Sequence, residues 1–243
     1  MMLCLDAGNS RLKWGLQEPR GASGAGAGWI EHGVLNYAQL DELFDRLHQR
    51  ATKIVASNVA GEAIAAQIEA QASAWHIPLV WLKSSPTACG VRNAYDHPSQ
   101  LGVDRWAALI GAHALFPGAK IVVMAGTATT IDSLMDDGQF VGGLILPGLQ
   151  LMRSALARHT ANLPEASGHF RQSPTNTDDA IVSGAIHATL GAIERQRKLF
   201  GKDTLCLLSG GAASELTPHL AAPLQAVENL VLEGLAVAGQ TLI

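Results

Sequence analysis

The sequence predicts an α/β protein of two halves, each a mixed β-sheet with flanking helices. Three observations carry this. Strand-like and helix-like patterns alternate along the whole chain. A strand–turn–strand unit at Leu3 to Ser10 is echoed at Ile121 to Ala128, each an apolar strand followed by Ala-Gly and small polar residues. Hydrophobic residues make up 48% of the 243 and charged ones only 16%, where about 25% is usual, so the halves need well-filled cores. The break falls near Pro117-Gly118, which gives 1–117 and 118–243 as the two duplicated parts.

Element by element, Leu3-Cys4-Leu5 reads as a short buried strand, Ala7 to Ser10 as a turn and Arg11 to Gln17 as the returning strand. Pro19 to Gly28 is rich in Gly and Ala without periodicity and reads as a loop. Ala38 to Arg50 is an amphipathic helix, with Leu40, Leu43, Phe44 and Leu47 at helical spacing. Lys53 to Ser57 is a strand, Glu62 to Trp75 a helix and Leu79 to Leu82 a strand. Ser84 to Gln100 carries turn residues and little period. A helix from Val103 to Phe116 ends at Pro117-Gly118. Strands at Ile121 to Met124, Thr130 to Leu134 and Phe140 to Leu146 form a meander, with Asp137-Gly138 as a hairpin signal. A helix from Asp178 to Phe200 and a strand at Leu205 to Leu208 follow, and Ser209-Gly210-Gly211 opens a final helical region.

Composition excludes several functions. The formal net charge of −4 leaves no basic surplus for a phosphate backbone, so nucleic acid is not expected as a partner. No apolar run approaches the roughly 20 residues that span a bilayer. The N-terminus has no basic region ahead of its apolar residues, and no signal peptide is expected. Cys4, Cys89 and Cys206 are an odd, scattered set that fits a reducing cytoplasm.

Three segments carry candidate chemistry. The first is Asp6-Ala7-Gly8-Asn9-Ser10 with Arg11, Leu12 and Lys13 beyond. A turn of small residues can aim backbone N–H groups at phosphates, and an Asp at a strand end can hold Mg²⁺ through its waters. Alone, the segment reads equally as a plain hairpin turn. The second is Ala125 to Asp132, where the Thr127 hydroxyl and nearby N–H groups face phosphates in the same way. Alone it reads as a Thr-rich β-turn. The pair resembles the actin-like (ribonuclease H-like) fold of sugar kinases, acetate kinase and chaperone ATPases, with an ATP cleft between the halves. The Walker A pattern is absent. The third runs from Asn93 to Arg105: Asp104 opens a helix and can serve as general base, and Arg105 can orient it or bind an anion. An acid favoured by the helix dipole beside a surface Arg is the plainer alternative.

Taken in order, the blocks resemble type III pantothenate kinases. Asn93 to Arg105 matches N-x-Y-x-x-P-x-x-L-G-x-D-R, after D-x-G-N-[ST] and before G-T-A-x-T. Gly142 to Gly148, Thr160 to Pro164, Asn176 to Ile181 and Ser209-Gly210-Gly211 continue the family's series. The resemblance implies ATP- and Mg²⁺-dependent phosphorylation of pantothenate to 4′-phosphopantothenate, the first step towards coenzyme A. It implies Asp104 as base, and Asp6 to Lys13 with Thr127 on the ATP phosphates. Gly210 and Gly211 would lie near the adenosine. Tyr95, Gly102, Val103, Asp104, Arg105 and His159 would contact pantothenate, with Thr177 contributed across a homodimer interface. Another small alcohol or carboxylate as acceptor, or an ATP-binding regulatory factor, are the rival readings. One departure stands out: Met124 occupies the place of a family Asp that binds K⁺ or NH₄⁺. A thioether is a poor ligand for a hard cation, so a weakened or absent side-chain cation site is expected.

Overall fold

A computed structural model describes residues 1–18, 28–160, 163, 165–201 and 203–241. In chain order its strands and helices are β1 (Met2–Ala7), β2 (Leu12–Gln17), β3 (Trp29–Leu35), α1 (Leu40–Leu47), β4 (Lys53–Asn58), α2 (Glu62–Ala74), β5 (Leu79–Trp81), β6 (Thr87–Ala88), β7 (Val91–Asn93) and α3 (Val103–Leu115). There follow β8 (Lys120–Ala125), β9 (Ala128–Leu134), β10 (Gln139–Pro147), α4 (Leu149–His159), α5 (Thr177–Phe200), β11 (Leu205–Ser209), α6 (Ala213–Leu216), β12 (Leu224–Ala226) and α7 (Leu230–Thr241). The loop expected at 19–28 lies outside the described residues except for Gly28.

The chain divides into two compact units: Met1–Pro117 with Asp137–Phe140 and Asn229–Ile243, and Gly118–Asp136 with Val141–Glu228. The C-terminal helix thus belongs to the first unit, whereas the sequence placed all of 118–243 in the second half. Close backbone packing explains this. A Cβ on Gly234 of α7 would lie 1.8 Å from the Ala107 carbonyl oxygen of α3, and one on Gly111 of α3 would lie 2.7 Å from the Leu230 carbonyl oxygen. Only glycine permits that approach.

The first unit holds a five-stranded sheet in the order β3-β2-β1-β4-β5. β1 pairs antiparallel with β2 and parallel with β4, so the sheet is mixed. Every β1 residue is buried, because both faces are covered. Leu3, Leu5 and Ala7 point into a cluster with Leu40, Phe44 and Ile68 of α1 and α2. The alternate residues Met2 and Val55 meet α7 at Gly239. By the same two-residue period Asp6 and Ser57 lie on the α7 side. β6 and β7 form a small hairpin, and Gln139–Phe140 at the start of β10 pair parallel with β7.

The second unit holds β12, β11, β8, β9 and the rest of β10, in that order across its sheet. β8 runs antiparallel to β9 and parallel to β11. Ile121, Val123 and Ala125 of β8 pack with Val182 and Ile186 of α5 and Leu216 of α6. The helical region expected after Gly211 is only the four-residue α6 and a 3₁₀ turn at Thr217–His219 before β12.

Candidate active site

In the first unit, β1 carries Asp6 to the edge of a glycine turn. The carboxylate is 6% exposed, and the Ser57 hydroxyl donates to its Oδ1 at 3.0 Å. Ser57 is Asp6's parallel ladder partner and Lys13 its antiparallel one. Burial pushes the Asp6 pKa up to about 6; Lys13 and Ser57 oppose the rise and the charge of Asp104 adds to it. A buried carboxylate in this state suits a cation. The turn that follows is tight: the Gly8 N–H lies 3.2 Å from both the Asp6 and the Arg11 carbonyl oxygens. Ala7 and Leu12 are buried ladder partners, so what the turn opens to solvent is Asn9, Ser10 and Arg11.

Tyr37, in a 3₁₀ turn after β3, closes over this loop from the protein side. Its hydroxyl donates to the Gly8 carbonyl at 2.5 Å and approaches that of Arg11 at 3.4 Å. Burial first, and the charge of Asp6 second, push the Tyr37 pKa up to about 12.

Also in the first unit, Asn93 stitches the segment leading to α3. Its Oδ1 accepts from the Tyr95 N–H at 3.1 Å and its Nδ2 donates to the Pro98 carbonyl at 3.2 Å. Tyr95 rests on Phe140, with ring centroids 5.5 Å apart. The buried Arg105 guanidinium donates to the Tyr95 hydroxyl at 3.0 Å. Asp104 sits in the first turn of α3, half-buried, with Oδ1 accepting from the Arg105 N–H at 2.8 Å. Gly102 makes room for that carboxylate, since a Cβ there would lie 2.7 Å from Asp104 Oδ1. Tyr95, Gly102, Asp104 and Arg105 are therefore one constellation, and Asp6 is close enough to feel its charge.

The second unit builds its own glycine turn. Gly126 N–H donates to the Ala128 carbonyl at 3.0 Å, leaving Thr127 exposed at the tip. Two further glycines press on it. Gly148, before α4, donates to the Thr127 carbonyl at 2.9 Å, and a Cβ on it would lie 2.1 Å from the Gly126 oxygen. Gly210 has φ +105°, and a Cβ on it would lie 2.3 Å from the Ala125 oxygen. Gly210 thus lies against Ala125, two residues before Thr127. His159 and Thr177 also come together: both line an open groove of about 1040 Å³ between α4 and α5, with Met152, Leu156, Asn176 and Ile181. Of the block from Thr160 to Pro164, residues 161, 162 and 164 lie outside the described residues. Asn176 caps α5 by accepting from the Asp179 N–H at 2.9 Å, which fixes the start of the helix at Thr177.

Met124 is half-buried at the end of β8, opposite Thr130 of β9 and beside Ser209 of β11. Its thioether does not fit a hard monovalent cation. Among the described residues no cluster of three or more His, Cys, Asp or Glu could hold a metal ion.

Sequence reasoning missed Tyr37 and Ser57, and it placed Gly148 in a family block without giving it a role. Ser57 was not legible, because the register between β1 and β4 is what sets it beside Asp6. For Tyr37 no local pattern pointed to a loop 29 residues away.

Two mixed sheets, each with a strand–glycine-turn–strand unit, give the molecule the fold shared by actin-like ATPases and sugar kinases. A Sinorhizobium meliloti protein assigned as a 2-dehydro-3-deoxygalactonokinase shares this fold, with a TM-score of 0.60 at 16% identity over 99% of this chain and 98% of that one. The family model for type III pantothenate kinase matches residues 2–198. A type III pantothenate kinase of Aromatoleum aromaticum is 48% identical over 99% of this chain and 98% of its own. That of Dechloromonas aromatica is 43% identical over 97% of each. The chain belongs to the type III pantothenate kinase family.

Proposed function

We propose that this chain transfers the γ-phosphoryl group of ATP to the primary hydroxyl of pantothenate, giving 4′-phosphopantothenate and ADP at the first step towards coenzyme A. The observation that carries the reading is the Asp104 constellation: a half-buried carboxylate held at a helix start by its neighbour's N–H, beside an Arg–Tyr pair suited to an anionic, hydroxyl-bearing acceptor. The hydroxyl oxygen attacks phosphorus in line and its proton passes to Asp104. The bond from phosphorus to the bridging oxygen breaks, and ADP leaves. Such a reaction relies on positioning and on donors aimed at phosphoryl oxygens, a role for which the exposed residues of the turns at Gly8 to Arg11 and Gly126 to Ala128 are the candidates. Gly210 packs against Ala125 and Gly211 faces open space, where the adenosine would lie.

Asp6 is the group that would hold Mg²⁺ against the phosphates, and the ion would neutralise charge on their oxygens. At Met124 no carboxylate answers for K⁺ or NH₄⁺, so turnover is expected to depend little on either. Thr177 and His159 would contact pantothenate from the groove between α4 and α5. Val141, Leu144 and Ile145 of β10 and Leu151 and Leu156 of α4 remain exposed, an apolar surface that suits a second copy of the chain and a homodimer. The free cysteines suit a cytoplasmic protein, and no helix among the described residues is long and apolar enough to cross a membrane.

The test is ADP release coupled to pantothenate, with the product weighed by mass spectrometry. ADP should form only with pantothenate present, one phosphate should appear on the acceptor, and added K⁺ or NH₄⁺ should change the rate little. Nucleotide binding without pantothenate-dependent ADP release would identify a regulatory factor instead. Release driven by a sugar or a carboxylate would identify a different kinase.

A further inference from the structure

A phosphate-binding turn works only if its backbone N–H groups face the phosphates. Glycine at position 8 permits the tight bend but gives the chain no reason to hold one orientation of the peptide that follows. The peptide between Gly8 and Asn9 is planar and trans, so its carbonyl and its N–H point in opposite directions. Whatever holds the Gly8 carbonyl therefore aims the Asn9 N–H. In this structure the Tyr37 hydroxyl holds it, at 2.5 Å, from the protein side of the loop. Asn9 itself stays exposed on the outer side.

Tyr37 is built for this. Its ring is partly buried and packs against the hydrophobic cluster that includes Leu12 and Leu40. The 3₁₀ turn carrying it is fixed in turn, with the Gln39 side chain accepting from the Asn36 N–H at 3.1 Å. The hydroxyl also lies 3.4 Å from the Arg11 carbonyl, so it touches both ends of the bend. A phenol held protonated remains a donor at working pH.

We propose that Tyr37 is a positioning residue for nucleotide binding: its hydroxyl holds the Gly8–Asn9 peptide with the carbonyl inward and the Asn9 N–H outward, where the phosphates of ATP would sit. This rests on the kinase reading only in taking ATP as the ligand. Without the hydroxyl, the glycine-flanked peptide is free to rotate and present its carbonyl to the phosphates, where oxygen meets oxygen.

The substitution Tyr37→Phe removes the hydroxyl and keeps the ring in the core. Three quantities are measured on the whole protein: equilibrium affinity for Mg-ATP, KM for pantothenate, and the thermal midpoint without ligand. The expected result is about tenfold weaker Mg-ATP binding, the scale of one lost hydrogen bond to an ordered group. KM for pantothenate should stay within about twofold, and the midpoint should stay near the wild-type value. Wild-type Mg-ATP affinity in Tyr37→Phe overturns the proposal. So does a parallel loss of Mg-ATP affinity, pantothenate KM and midpoint, which would mark a general structural role. Failure of the kinase reading looks different. Pantothenate would then drive no ADP release in the wild type, while the loss of Mg-ATP affinity in Tyr37→Phe would persist.

Discussion

Asp6 is a side chain held in tension by its own burial. Its pKa is about 6 in the folded chain against an ordinary 3.8, with burial as the main cause. Between those values the folded state binds the proton more tightly than the unfolded chain does. Stability therefore falls as pH rises from about 4 through about 6 and levels off above. A shift of this size costs about 3 kcal/mol at neutral pH. Asp6→Asn removes the buried charge and keeps an oxygen for the Ser57 hydroxyl. In the absence of nucleotide it should raise stability by about 2–3 kcal/mol at pH 8 and change little near pH 4, as read by urea melts at both pH values. The same substitution should weaken use of Mg-ATP. A variant no more stable than wild type at pH 8 would mean the carboxylate is already compensated within the protein. Asp6 and Asp104 were visible as residues of ordered motifs. Ser57 and Tyr37 were not, because register across a sheet and a contact between distant segments decide their positions.

Among the elements, α7 was legible only as part of a final helical region. It is apolar on most sides, with Leu230, Val231, Leu232, Leu235, Ala236 and Ala238 buried, so no stripe marks which partner it covers. Its place is set by Gly234 and Gly239, where backbone meets α3 and where Met2 and Val55 pack. Gly234→Ala should lower stability by about 1–3 kcal/mol, seen as a lower urea midpoint with an unchanged slope. An undiminished midpoint would show that α3 and α7 can part without loss. The strands β1, β2, β8, β9 and β11 were legible because apolar runs end at glycine turns or at clusters of small polar residues. β6, β7 and β12 span only two or three residues, too few to show a period. α4 was missed although Leu149, Met152 and Leu156 stand at helical spacing.

At the scale of the whole molecule, the duplication read from two short echoes appears as two mixed sheets, each with its own glycine turn at the end of a central strand. Sequence motifs located the turns and the acid at 104. They did not show that Gly148 and Gly210 both press on the segment from Ala125 to Thr127, or that His159 and Thr177 share one groove. In the proposed reaction, binding ATP and transferring its phosphoryl group are separable tasks, the second resting on the carboxylate in the first turn of α3. The most direct measurement is kcat for Asp104→Asn at saturating Mg-ATP and pantothenate, beside its equilibrium affinity for Mg-ATP. Loss of a general base predicts a fall of about 10²–10⁴-fold in kcat with nucleotide affinity kept close to wild type. Turnover within a fewfold of wild type would contradict it.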